Sequence, residues 1–187
     1  LEFRRVLFRS ELVLNSNQSR PFDALLCLVD IRLIEAADLA QLLGLRYLNS
    51  KSARLLRDKF CVRELLAEKG ITQPEFLLAT TNEEVCQSVD RIGLPFLIKP
   101  SDGYGSQNIL IFENDMDLEF GRESLKSLLP LKSDYGLGVH SNDRLLIERY
   151  MKGILIGCDV FTESAGQHRL MGINEKQMLT PPSFAIR

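Results

Sequence analysis

Phe96-Leu97-Ile98-Lys99-Pro100-Ser101-Asp102-Gly103-Tyr104-Gly105-Ser106-Gln107-Asn108-Ile109-Leu110-Ile111-Phe112 is the stretch on which the reading of this chain turns. Phe96 to Lys99 is a compact apolar run that ends in a lysine. Ile109 to Phe112 is a second run, and two such runs joined by a glycine-containing loop predict an antiparallel hairpin. Lys99 closes the first strand directly before Pro100, which puts an ammonium at the mouth of the loop. Gly103 and Gly105 let the backbone come close to an anion, and their amides can donate to its oxygens. Ser106 adds a hydroxyl donor, and Tyr104 can cover what is bound. Alone, the loop has two readings: a phosphate cradle, or a hairpin turn that needs positive φ beside a lysine reaching for water.

Three other phosphate loops are excluded. A P-loop needs G-x-x-x-x-G-K-[ST], which the chain lacks. A dinucleotide fingerprint needs a third glycine and a following helix; here Asn108 holds that place and a strand follows. A protein-kinase loop carries its lysine on a strand after the glycines, whereas Lys99 precedes them.

Working outward, Thr81-Asn82-Glu83-Glu84 is a capping box, and Val85, Val89 and Ile92 form the stripe of the helix it starts. A longer helix is predicted from a cap at Asn49 or Ser50 to about Lys69, with Leu55, Val62, Leu65 and Leu66 on one face and Gly70 at its end. Pro74 to Leu78 reads as extended. Phe22 to Val29 is expected to be a short buried strand, followed by a helix from Arg32 to Leu43 stopped by Gly44. On the other side, Leu118 to Leu129 reads as helix and residues 130–143 as a polar connection. Arg144 to Tyr150, Ile154 to Thr162 and His168 to Ile173 read as strands, the last two joined by a turn at Ser164-Ala165-Gly166. Helices and mostly antiparallel strands in this order predict an α+β fold, not a doubly wound sheet.

Composition narrows the function. The 187 residues carry a formal charge of −2, which leaves no electrostatic footprint for nucleic acid. The longest apolar run, Ala24 to Val29, is far too short to span a bilayer. Cys27, Cys61, Cys86 and Cys158 form no CxxC pair and are not spaced with His140 and His168 as metal ligands would be, so they read as buried or half-buried thiols in a reducing cytoplasm. Residues 1–10 lack a signal-peptide layout and are set aside as a non-native scar. The sequence is expected to be a fragment truncated at both ends.

Further markers flank the loop in a fixed order. Asp58-Lys59 comes before it, then Gly70-Ile71-Thr72-Gln73-Pro74; Leu146-Ile147-Glu148-Arg149-Tyr150-Met151-Lys152-Gly153 and Asn174-Glu175-Lys176 follow. That order resembles the ATP-grasp superfamily, which includes carboxylate–amine ligases and carbamoyl-phosphate synthases. The resemblance runs over residues 20–187. It implies a partial ATP-grasp fold: residues 11–48 as a remnant of a preceding α/β domain, 49–143 as the small subdomain with the loop, and 144–187 as the start of the C-terminal subdomain.

The resemblance also implies roles. Lys59 would reach nucleotide phosphates and Lys99 the α-phosphate and adenine. Ser101, Gly103, Tyr104, Gly105, Ser106 and Gln107 belong to a mobile loop that closes over the β- and γ-phosphates. Glu148 would accept from the adenine amino group, with Arg149, Tyr150 and Met151 lining the hinge. Lys176 would sit near the transferred phosphoryl group as the catalytic lysine. Cations from separate elements suit a polyanionic triphosphate. Mg²⁺ is the implied cofactor beside ATP, its ligands expected beyond residue 187, and no residue of this chain is assigned to it. Leu155 departs from the family's Gly-x-Glu, whose glutamate binds ribose hydroxyls; Asp159 is a weak substitute.

The activity implied is that of a cytoplasmic ligase, possible as a homo-oligomer, that uses ATP to convert a carboxylate into an acylphosphate for attack by an amine or similar nucleophile. The fragment alone is expected to be inactive. Two other readings stand beside it: a bicarbonate-activating subunit of the carboxylase or carbamoyl-phosphate-synthase type, and a non-catalytic nucleotide-binding module.

Overall fold

The computed structural model describes residues 2–131, 135, 139–164 and 166–176. Parts of the expected 130–143 connection, Ala165 of the expected turn, and everything from Gln177 to Arg187 lie outside the described residues. The helices are α1 (Glu2–Ser19), α2 (Leu33–Leu43), α3 (Ser50–Arg57), α4 (Lys59–Glu68), α5 (Asn82–Ile92) and α6 (Asp115–Leu125). The strands are β1 (Phe76–Ala79), β2 (Phe96–Pro100), β3 (Leu110–Phe112), β4 (Leu145–Arg149), β5 (Ile156–Ser164) and β6 (Gln167–Glu175).

An antiparallel four-stranded sheet, in the order β1-β4-β2-β3, carries the core. Alternation along each strand sorts its side chains into two sets. Phe96, Ile98, Leu145, Ile147 and Ala79 face Val85, Val89 and Ile92 of α5 and Leu125 of α6, and all are buried. The other face carries Leu97, Lys99, Leu146 and Glu148, since Leu97 pairs with Glu148 and Lys99 with Leu146. The apolar face therefore anchors the sheet, and the opposite face is left for chemistry.

Local signals explain most elements. The capping box forms as expected: Thr81 Oγ1 accepts from the Glu84 amide at 3.2 Å while the Glu84 carboxylate accepts from the Thr80 and Thr81 amides. Gly44 ends α2 at φ 67°, a left-handed conformation that glycine reaches without steric cost. The β2–β3 hairpin forms, and the cross-strand pair Phe96 and Phe112 stacks with ring centroids 4.7 Å apart. The β5–β6 hairpin also forms as read, separately from the main sheet.

Four expectations change. Residues 22–29 form no strand: a strand needs a neighbour to take its backbone hydrogen bonds, and no ladder among the described residues includes this segment. Leu25 and Cys27 in it are half-buried, and Leu26 and Leu28 are exposed. The single helix expected from 49 to 69 is two, broken at Asp58 (φ −105°, ψ 108°). The Asp58 carboxylate accepts from the Phe60 and Cys61 amides and starts α4 anew, and the Lys59 amide donates to Ser101 O at 2.7 Å. Helix α6 begins at Asp115 rather than Leu118, because Asn114 caps it by accepting from the Asp117 amide. Finally, β4, read with the strands after it, is hydrogen-bonded between β1 and β2. Helix α1 runs through residues set aside as lying outside the fold.

Candidate functional site

Lys99 and Glu148 meet on the face of the sheet turned away from α5. β2 and β4 place them on adjacent strands, and the Lys99 ammonium donates to Glu148 Oε1. Arg63, on α4, donates through Nε to Glu148 Oε2 at 3.0 Å and through Nη1 to Gln73 Oε1 at 2.8 Å. Glu148 is only 3% exposed, and these two cations pair with its carboxylate in place of water. Both carboxylate oxygens, one of them expected to face an adenine amino group, carry a charged donor in this structure.

A cavity of about 760 Å³ opens beside this pair. Lys99, Glu148 and Leu97 form its floor, Ser106 reaches it from the loop, and Arg149, Tyr150 and Met151 line it. Lys176 lines it from the end of β6. The Lys176 amide donates to Leu155 O at 2.8 Å, and its side chain crosses Gly157, where a Cβ would lie 2.6 Å from Lys176 Cε. The glycine is thus what lets this lysine lie across the hairpin. A second cavity, about 370 Å³, adjoins the first and shares Lys99 and Arg63 with it; Lys59 belongs to this one.

The loop residues divide. Ser101 is fully buried at the root: its amide donates to Arg144 O at 2.9 Å and its hydroxyl lies 3.1 Å from Asn142 Nδ2. Gly103 donates to Pro100 O, and its carbonyl accepts from Lys59 Nζ at 2.6 Å. Tyr104 is half-buried, while Gly105, Ser106 and Gln107 form the exposed tip, with Gly105 at φ 62° and Ser106 at φ 57°. The Gln107 amide, at the end of that tip, donates to Tyr104 O at 3.3 Å. Arg149 and Tyr150 are tied through their amides to Glu75 O and Pro95 O, and the Arg149 guanidinium reaches Ile92 O at the end of α5.

Burial lowers the pKa of Lys59, and the positive charges of Arg57 and Lys99 lower it further. An arriving anion would reverse that balance. Burial raises the Asp102 carboxyl against the pull of Arg57 and Lys59; one of its oxygens accepts from the Asn142 amide at 3.0 Å, and the other is buried without a partner among the described residues.

At the positions expected to meet ribose, Leu155 lines the cavity, and Asp159 accepts from Asn174 Nδ2 at 3.1 Å. Glu175 is the carboxylate that reaches the cavity rim there. Among the described residues, no three carboxylates, histidines or cysteines come together as a metal site. The side chains described here do not by themselves fit a resident Mg²⁺.

Arg63 was missed by reasoning from motifs, although its spacing gave a signal: it lies four residues after Lys59, on the same face of α4. Leu97 and Ile111 were also legible, since alternation puts them beside Lys99.

The fold has known counterparts. Residues 92–187, just over half of the chain, match the family described as the ATP-grasp domain. The chain belongs to that family. Among curated proteins it is similar to the D-alanine–D-alanine ligase of Bacillus anthracis, 26% identical over 122 residues, which is 64% of this chain and 36% of the relative. The chain thus spans little more than a third of that relative's length. Among solved structures, the L-amino acid ligase of Bacillus licheniformis superposes with a TM-score of 0.71 at 19% identity, covering 95% of this chain and 38% of that one. The biotin carboxylase domain of the Hydrogenobacter thermophilus 2-oxoglutarate carboxylase, solved with MgADP, ADP and bicarbonate, gives 0.69 at 19% identity, covering 94% and 39%. At these identities the structures share the fold with this chain. Among the described residues no helix is long and apolar enough to cross a membrane.

Proposed function

We propose that this chain is the ATP-binding portion of a ligase that activates a carboxylate as an acylphosphate. The observation that carries the reading is the shared cavity: Lys99, Ser106 and Lys176, from three separate elements, converge on it beside the Tyr150 and Met151 hinge. Such a cavity is the right size for a nucleotide-like ligand. A triphosphate needs compact cations from several directions, and Lys59, Lys99, Arg63 and Lys176 surround the two joined cavities. The neighbour crystallised with MgADP supports a nucleotide in this fold.

In this reading a carboxylate oxygen of the substrate attacks the γ-phosphorus, the bond to the β,γ-bridging oxygen breaks, and ADP leaves with the electron pair. An amine then attacks the acyl carbon, phosphate departs, and the amine loses a proton. The chain supplies no nucleophile. Its residues position the reactants and offset charge as it builds, which is most of what phosphoryl transfer asks of a protein. Lys99, held by Glu148, is preset for the phosphates, while Lys59 leaves the Gly103 carbonyl to meet them. Mg²⁺ would supply the main counter-charge on the phosphates. A cytoplasmic location and small-molecule carboxylate and amine substrates belong to the same proposal.

The test is Mg-ATP binding, and carboxylate-dependent ADP release, by the full-length protein with and without Lys99→Ala. The expected result is a loss of affinity of about tenfold or more, the worth of one charge-assisted hydrogen bond. Unchanged affinity and turnover would remove Lys99 from the site. ATP binding without any carboxylate-dependent ADP release would favour a nucleotide-binding module.

A further inference from the structure

Arg57 ends α3, and its side chain is 9% exposed. Its Nη2 donates to the backbone carbonyl of Asp102 at 2.6 Å, at the root of the glycine loop. Its Nη1 donates to Asp30 Oδ2 at 2.8 Å, in the short turn that leads into α2. A buried guanidinium is costly unless its donors find acceptors, and these two are fixed by its planar fork. It bonds to a carbonyl and not to a loop side chain, so it fixes backbone position. Two residues on, Lys59 Nζ holds the next carbonyl of the loop, Gly103 O, at 2.6 Å. The two latches differ. Arg57 presents a planar guanidinium fork, and Asp30 braces it from behind. Lys59 is an amine whose charge burial and Arg57 itself disfavour, and it also lines the smaller cavity.

We propose that Arg57 is a positioning residue for the glycine loop: braced by Asp30, it holds the loop root while Lys59 lets go of Gly103 to meet an anion. It connects the segment before α2 to the phosphate loop, so the setting of Asp30 reaches the loop through one side chain. The link itself stands on geometry; what the loop receives rests on the ATP reading above.

The test has two parts. In nucleotide-free protein, amide exchange at Gly103 and Gln107, which are hydrogen-bonded within the loop, is measured for wild type, Arg57→Met, Arg57→Lys and Asp30→Ala. Arg57→Met should speed loop exchange about tenfold or more, as loss of a charge-assisted hydrogen bond requires. Arg57→Lys should restore part of the protection, because an ammonium can reach one acceptor but not fork to both. Asp30→Ala removes a largely exposed side chain, so it leaves the fold intact, and should speed loop exchange by a few-fold. Exchange in β2 and α5 should stay as in wild type. Equal acceleration there, or an unchanged loop in Asp30→Ala, overturns the proposal; the second outcome decides the matter even if Arg57→Met does not fold. In the second part, Arg57→Met should weaken ATP binding more than AMP binding, since only the longer chain of phosphates reaches the loop. Equal weakening of both overturns the positioning role. If wild type binds no nucleotide, the ATP reading fails and the exchange result still stands or falls alone.

Discussion

Lys99 and Glu148 sit on neighbouring antiparallel strands two positions apart in register, Glu148 lying opposite Leu97, and their side chains close that diagonal as an ion pair on the cavity face of the sheet. The offset matters. Diagonal positions lie farther apart than directly opposed ones, within reach of a long lysine side chain, and both groups line the cavity. Arg63 takes the remaining carboxylate oxygen, so Glu148 is held from two sides and can orient a lysine without being free itself.

Arg63→Met is expected to cost about 1–3 kcal/mol of stability, the penalty for leaving a buried acceptor without its donor. Urea unfolding measures it. In a Glu148→Gln background, which removes the buried charge, the same change should cost clearly less. Additive costs in the double variant would mean that the two side chains do not act on one another.

Asp102 predicts a pH signature. Burial raises its carboxyl pKa above the ordinary 3.8, so in the window just above 3.8 the folded chain keeps a proton that the unfolded chain has lost. Stability attached to Asp102 is therefore present in full below 3.8 and falls as pH rises through the folded value. Asp102→Asn keeps an oxygen for the Asn142 amide and removes the titration. The variant should gain on wild type in urea midpoint between acid and neutral pH and keep the gain above. A difference that stays flat across this range would show that burial does not oppose the charge.

These groups mark what could be read in advance and what could not. The hairpin, the capping box and the helix stop at Gly44 rest on short-range chemistry, and each formed as read. The break at Asp58 hid behind a continuing apolar face, because Leu55, Val62, Leu65 and Leu66 suit one helix as well as two. Its signal was the capping ability of Asp58, which periodicity does not weigh. The run from Phe22 to Val29 has the side chains of a strand but no neighbour to pair with among the described residues, and pairing is not written in a single segment. The order of lysines pointed to the cavity, yet the partners of Glu148 and the burial of Ser101 depend on β4 inserting between β1 and β2, a long-range event.

Gly121 predicts a packing effect in the direction opposite to helix propensity. It lies within α6, where alanine is normally favoured by about 1 kcal/mol. Here an added Cβ would come within 2.4 Å of Phe112 Cε1, and that ring is itself stacked on Phe96. Gly121→Ala should therefore destabilise by about 1–3 kcal/mol, as overpacking does in a close-fitted core. Paired with Phe112→Leu, which clears space at the ring edge, the same change should become neutral or stabilising. Urea midpoints of the four chains check the sign in both backgrounds.

Gly157 separates stability from function. Its absent Cβ leaves the path that Lys176 takes across the hairpin, and valine there would force the lysine aside. The obstructed atom is far along a flexible, exposed side chain, and valine suits a strand, so Gly157→Val should shift stability by no more than about 0.5 kcal/mol. The β5–β6 register should also hold, since Gly157 pairs with Asn174 through backbone groups. What should fall is whatever depends on Lys176 at the cavity: in the full-length protein, ATP turnover should drop far more than nucleotide affinity if this lysine serves the transferred phosphoryl group. A matching loss in Lys176→Met, with no further loss in the double variant, would assign the effect to the lysine's position. Full turnover in Gly157→Val with Lys176 displaced would take the lysine out of the reaction.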